Sequence, residues 1–350
     1  MTSCRLGILA LTAVALVGGA LAATPRAERA ESTAGPAASA SIAASAGAGV
    51  RTGVVTDPLA VVAATGLYSF LSTHGGKPVR WDPCVPIRYK VNRNAAVPAS
   101  EVRHLRAAFA RLGRDLGGVR FADAGATTLV PDTTDDARKA RTGIVLAFAS
   151  PGAGARRSAM LTGREAGRGG FGSARWGSGD GPHVPIATGG AVVFDAGKAR
   201  AMNRKTRTAM YLHEIGHVLG LGHAGDRRQI MYPALLNSGP RTYAGGDRAG
   251  LVRLGRRAGC LQVPAAAAKP VFRVAGQQVV VSVPRVRSVS GAVRYRLVSP
   301  DAYRVDGRES ATPSFTVPLS ALRVGTSFRF SIRATNAVGR STGPAATFTP

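Results

Sequence analysis

The sequence predicts an α+β domain followed by an all-β sandwich. Three observations carry this: helical periodicities around residues 100–116 and 205–219, short apolar strands between them, and a change to period-two alternation after an alanine run at 265–268. The 350 residues suffice for two domains with their own cores, and 45% of them are apolar.

The first segment stands outside the fold. Arg5 precedes an apolar run, Leu6 to Ala22, that ends in Ala20-Leu21-Ala22. A basic start, an apolar middle and a small-residue exit read as a secretory signal peptide over 1–23, with an uncleaved anchor as the alternative. Residues 24–64, rich in Ala, Ser and Gly, are expected to be a disordered leader. Export leaves two cysteines, Cys84 and Cys260, and an even number in an exported chain predicts a disulfide.

The first domain is expected over 65–262. Ile87 to Val91 alternates as a strand does. Ser100 is a plausible N-cap for a helix to Leu116, whose apolar positions Val102, Leu105, Phe109 and Leu112 share one face. Val119–Ala122, Gly143–Ala149 and Gly190–Asp195 read as further strands, the second apolar enough to be central. Residues 151–188 read as long surface loops. A helix follows from Lys205 through Leu219, and Asp247–Arg256 gives a last short one. Asp247 is expected to cap that helix, with a hydrogen bond near the histidines described below as the alternative.

After a linker at 263–268, strands are expected at 278–283, 293–298, 314–317, 327–334 and 345–348, spaced by turn residues. In the second and fourth, alternation turns Arg294, Arg296, Arg329 and Arg333 outward on one sheet. These four guanidiniums would tether the chain to an anionic cell-surface polymer; charge spread evenly over the surface is the blander reading. The formal net charge is +27, mostly from Arg. It implies attraction to anionic polymers, but no nucleic-acid-binding motif accompanies it and none is expected to bind. A monomer is expected.

The chemistry concentrates in His213-Glu214-Ile215-Gly216-His217-Val218-Leu219-Gly220-Leu221-Gly222-His223, which holds half of the six histidines. Four residues apart on a helix, His213 and His217 point at one ion from a single face. Imidazole nitrogens at about 2.0–2.1 Å suit a tetrahedral Zn2+ with one position left to water. Glu214 sits beside the first ligand, able to reach that water as a general base. Gly220 permits the left-handed turn that lets His223 return as third ligand.

The pattern His-Glu-x-x-His-x-x-Gly-x-x-His resembles the metzincin metallopeptidases. Met231, in Ile230-Met231-Tyr232-Pro233, resembles their methionine turn, and Met-Tyr-Pro resembles the matrixins among them. Asp247-Arg248-Ala249-Gly250-Leu251 is similar to their closing helix. The resemblance covers roughly 66–262, its motifs 205–255. It implies a twisted mixed sheet with three main helices and a secreted endopeptidase, possessing a specificity pocket walled by Tyr232, Pro233 and Leu235. An extended protein or peptide substrate would lie along a sheet edge, for which Gly190–Phe194 is the candidate. Asp180 and His183 are candidates for a structural ion, zinc or Ca2+, beside the plainer reading of a solvated loop. Ala224 stands where matrixins have Ser, and no Pro-Arg-Cys-Gly motif precedes the domain. Gly325 to Gly339 is similar to the strand-and-turn signature of fibronectin type III domains, so an immunoglobulin-like sandwich is expected over 269–350. Two other functions fit the same residues: a surface-binding protein with a structural zinc, and a zinc hydrolase acting on cell-wall peptides.

Overall fold

The computed structural model describes residues 66–92, 98–173, 179–236, 238–301 and 308–350. The signal-peptide and leader expectations lie outside them. The described chain is mixed α/β, with several sheets and few helices, and divides its buried apolar side chains between two large clusters.

The first cluster surrounds a mixed sheet. A small hairpin, β1 (Thr73–His74) and β2 (Lys77–Pro78), precedes β3 (Ile87–Asn92), α1 (Ala99–Asp115) and β4 (Phe121–Thr127). Then come α2 (Asp136–Lys139), β5 (Ile144–Pro151), β6 (Arg157–Ser158), β7 (Gly167–Ser173), β8 (Gly181–Pro182) and β9 (Ala187–Asp195). Helices α3 (Ala196–Ala201), α4 (Arg204–Leu219) and α5 (Gly245–Leu254) follow. The sheet order is β4-β3-β5-β9-β7, with β6 beside β5. All main pairs are parallel except β7, which runs antiparallel to β9.

Helix α1 buries Leu105, Phe109 and Leu112, as its periodicity predicts, and Phe109 stacks on Tyr89 of β3 with centroids 4.2 Å apart. Its N-cap position is Pro98, with no side-chain cap, so Ser100 is already inside the helix. Proline tolerates that boundary because its fixed φ suits a helix start. Helix α4 is capped by Asn203, whose side chain accepts from Thr206 N–H at 3.0 Å. Every residue from Ala209 to Leu219 is buried, so this helix runs through the core. No helix of the described residues is long and apolar enough to cross a membrane.

Two expectations are corrected here. Residues 151–188 are not only loop: they hold β6, β7 and β8. Gly190–Phe194 is not an edge, because β9 lies between β5 and β7, and the edge is β7 itself. Its sequence, Gly-Arg-Gly-Gly-Phe-Gly-Ser, carries no apolar alternation, because a helix packs where side chains would be. A Cβ on Gly169 would collide with the main-chain oxygen of Glu214 in α4.

The second cluster is a β-sandwich. One sheet is β10 (Val271–Ala275), β11 (Gln278–Ser282) and β13 (Ser314–Pro318). The other contains β12 (Arg294–Val298), β14 (Phe328–Thr335) and β15 (Gly339–Thr342), with β16 (Ala346–Phe348) beside β14. Tyr295, Leu297, Phe330 and Ile332 are all buried, as the alternation predicts. Strands β10 and β15 are additional to those read from sequence. The stretch 263–268 packs onto the sandwich: Ala267 is buried, and Ser341 Oγ donates to Pro264 O and Ala265 O. Strand β8 joins the second sheet through β15, so the sandwich docks directly on the first module.

Candidate metal centre

Helix α4 presents His213 and His217 one turn apart, both more than nine-tenths buried. Gly220 ends the helix at φ 117°, a conformation that side-chain-bearing residues rarely adopt. The last turn is braced from outside, since Trp81 Nε1 donates to the otherwise open carbonyl of Val218 at 2.7 Å. Beyond the turn the chain doubles back. Gly222 N–H donates to Ser69 O at 2.9 Å, and Ser69 Oγ donates to His223 O at 2.7 Å. The segment around Tyr68 thus carries the loop that returns His223, a support no local sequence signal announces.

The three imidazoles converge. His217 Nε2 lies 3.1 Å from His213 Nε2 and 3.2 Å from His223 Nε2. His213 Nδ1 is 2.7 Å from Ile230 O and His217 Nδ1 is 2.9 Å from Leu221 O. A carbonyl oxygen only accepts, so both Nδ1 atoms carry the proton and both Nε2 atoms are bare lone pairs. Two bare lone pairs cannot hydrogen-bond each other, and at this distance they repel. A cation between them removes the repulsion. Ligands at about 2.05 Å on a tetrahedron stand about 3.3 Å apart, close to the spacing found. Burial lowers the pKa of His213, and burial together with the neighbouring His213 brings His217 down to about 4. Both rings are therefore neutral, the form a metal requires. Among the described residues this group contains three histidines and no fourth ligating side chain. His223 is exposed, so the cluster opens to solvent on its side.

Glu214 follows His213 and is 8% exposed. Burial pushes its carboxyl up to about 8, with Glu165 acting the same way and the Gly169 N–H and Arg168 opposing. Strand β7 covers it: a Cβ on Gly167 would lie 2.8 Å from Glu214 Cγ. Sequence reasoning missed both glycines, whose missing side chains are the only local trace of the contact.

Met231 is fully buried beneath α4, and a Cβ on Gly216 would meet its Sδ. Asp247 holds this turn. Its carboxylate accepts from Ile230 N–H at 2.7 Å, Met231 N–H at 3.2 Å and Ala244 N–H at 3.0 Å. It lies at the third position of α5 rather than at its N-cap, where it accepts from the N-cap Ala244 N–H, and it also reaches the centre, the alternative reading, because Ile230 O is the acceptor for His213 Nδ1. A carboxylate–peptide–imidazole chain results. Burial raises the Asp247 pKa, opposed by the three N–H groups. Of the predicted pocket residues, Tyr232 and Leu235 are half-buried and Pro233 is exposed; Leu235 packs on the main core.

Cys84 and Cys260 form the disulfide, with Cα atoms 5.4 Å apart across a separation of 176 residues. Asp180, a candidate for a structural ion, accepts two hydrogen bonds from Thr342. Its Oδ2 accepts from Thr342 N–H at 2.7 Å and its Oδ1 from Thr342 Oγ1 at 3.0 Å, which ties its loop to the sandwich. Two of the four outward arginines of the sandwich have an acid beside them. Arg329 is paired with Asp301 at 3.0 Å and Arg333 lies 4.0 Å from Asp180. Only the alternation was visible in sequence; the acids that pair with it come from elsewhere in the chain.

The family model described as Matrixin (Peptidase_M10) matches residues 181–254, the stretch that contains the three histidines, Glu214 and Met231. No curated protein matches the sequence. Among solved structures, the fibronectin type-III domain of human fibronectin type III domain containing protein 3 is 22% identical, over 25% of this chain and 86% of its own, at a TM-score of 0.21. A structure described as FN3tt mut is 18% identical over 25% of this chain and 97% of its own, TM-score 0.20. The spore cortex lytic enzyme SleM of Clostridium perfringens is 14% identical over 25% of this chain and 28% of its own, TM-score 0.19. Over residues 181–254, then, the chain is similar to zinc metallopeptidases.

Proposed function

We propose that this chain is a secreted, zinc-dependent endopeptidase of matrixin-like type, with His213, His217 and His223 as ligands and Glu214 as general base. The observation that carries the reading is the three-histidine cluster itself, its Nε2 atoms brought to one point with no fourth ligating side chain among the described residues. A structural zinc site closes with four protein ligands, whereas a hydrolytic one keeps a position for solvent. That contrast favours catalysis over the surface-binding alternative.

When bound, the zinc ion supplies a Lewis acid that acidifies a water and polarises the scissile carbonyl. The chain's residues supply the remainder. Glu214 takes a proton from the attacking water at its carboxylate and returns it to the departing amine. Burial raises the Glu214 pKa, so its ionised, basic form depends on positive charge beside it. The peptide units of Ile230 and Leu221 hold the two helical imidazoles in the tautomer that leaves Nε2 free. Met231 fills the space beneath α4, and Asp247 fixes the turn that carries it. Strand β7, an antiparallel edge beside Glu214, is suited to receive an extended peptide by main-chain pairing.

Incubating the purified, zinc-loaded chain with a peptide library tests the reading, beside a Glu214→Ala control and a chelated sample. Internal cleavage that disappears in both controls, while Glu214→Ala still holds one zinc, is the expected result. Cleavage that survives chelation refutes it.

A further inference from the structure

A cavity of about 620 Å³ lies where the two modules meet, and no residue of the histidine centre lines it. Lys77, Arg80, Arg253 and Arg257 contribute to its wall from the first module, Val289 and Val338 from the sandwich, and no Asp or Glu lines it. Arg80 is only 7% exposed. Its Nη2 donates to Ala258 O and Gly259 O, both at 2.8 Å, which pins the guanidinium among residues of the wall. Its Nη1 is buried without a hydrogen-bond partner. Asp82 is within electrostatic range, but its Oδ1 is engaged by the N–H groups of Cys84 and Leu261. Lys77 and Arg257 are exposed and make no ion pair among the described residues.

Concave, low-dielectric walls focus a field of one sign. Four cations around one cavity repel each other. An oxyanion relieves that repulsion, and guanidinium groups recognise phosphate and carboxylate by the same geometry. The volume falls within the roughly 300–1,000 Å³ typical of ligand sites. Concavity and the buried Arg80 separate this place from the general positive charge of the surface.

We propose that the junction cavity is an oxyanion-binding site, distinct from the histidine centre, that takes a phosphate or carboxylate group carried on a larger anionic ligand. Both modules build it, so docking of the sandwich completes the site.

The test uses the full chain at low ionic strength, where charge is least screened. Calorimetric titrations with tripolyphosphate and with oligoglutamate distinguish the two sources of the anion. Three variants accompany the wild type: Lys77→Glu with Arg257→Glu, the milder Arg257→Gln, and Arg294→Glu as a control on the sandwich surface. Saturable binding of either probe at one per chain supports the site if it weakens about tenfold or more in the double variant. Arg257→Gln should show a smaller loss and Arg294→Glu none. Failure of both probes to saturate overturns the proposal, as does equal weakening in Arg294→Glu, which would mean diffuse attraction. Hydrolysis is not the readout, so this result and the peptidase reading stand or fall separately.

Discussion

Replacing Gly167 by alanine puts a methyl group against the side chain of Glu214 and leaves the three histidines untouched. The new Cβ would lie 2.8 Å from Cγ, 3.2 Å from Cδ and 3.3 Å from Oε1 of Glu214. Carbon atoms rest comfortably at about 3.5–4.0 Å, so the carboxylate must yield by about 1 Å. A displacement of that size at a reacting group costs about a hundredfold in rate, or about 2.7 kcal/mol of barrier. The expected phenotype is therefore a kcat about a hundredfold lower, with KM nearly unchanged and one zinc still bound. Steady-state kinetics on a fluorogenic peptide, metal content and a thermal melt measure the three quantities separately. Gly169→Ala is the informative comparison. Its methyl meets the main-chain oxygen of Glu214, which cannot rotate away, so this variant should lose stability as well, by about 1–3 kcal/mol. If Gly167→Ala retained wild-type kcat with its metal in place, the assignment of Glu214 as base under β7 would be wrong.

Asp247→Asn leaves a single acceptor oxygen for three N–H groups, so whichever way the amide turns at least one donor faces its NH2. The expected loss is about 1–3 kcal/mol for each orphaned group, with weaker zinc affinity through Ile230 and His213; denaturant melts and competition with a chromophoric chelator measure both, and unchanged values would discard the link. Serine at Cys84 and Cys260 should cost at most about 5 kcal/mol by the loop-closure estimate for so long a span, read from denaturation midpoints of oxidised and mutant chains. For the metal-free chain, the folded His217 titrates near 4 and a free imidazole near 6.5. Between those values the unfolded state binds the extra proton, so stability falls as pH falls through the window, by at most about 3 kcal/mol. A His217→Asn variant should flatten that part of the curve, and an equal slope in both proteins would show that another group titrates there.

Local periodicity made α1, α4 and the His213–His217 pair readable, because each depends on residues three or four positions apart. The rest of the site depends on partners far along the chain. For Asp247 the sequence offered a contact near the histidines only as an alternative and did not single out Ile230 as its partner, and nothing near His223 indicates that Ser69 carries its loop. Strand β7 was hidden for a more specific reason. Strands are recognised by alternating apolar side chains, and β7 lacks them where the main chain of α4 passes too close for Gly169 to bear one and where Gly167 faces the Glu214 side chain. The composition that suggests a loop is a condition of the packing. Arg329 and Arg333 turn outward as the alternation predicts, but the acids beside them, Asp301 and Asp180, come from distant segments that the alternation does not announce.

The pairing of Asp180 also changes what the sandwich does for the first module. Its loop lies between β7, which covers Glu214, and β9, and it is held at several points by the sandwich. Asp180 accepts from Thr342, Arg340 Nε donates to Gly179 O at 3.1 Å, and β8 pairs with β15. Each surface hydrogen bond or ion pair contributes little alone, but together with the sheet pairing they restrict one end of the β7–β9 connection. The sandwich therefore holds the loop that follows β7, and Arg333 and Arg340 both contribute to that contact.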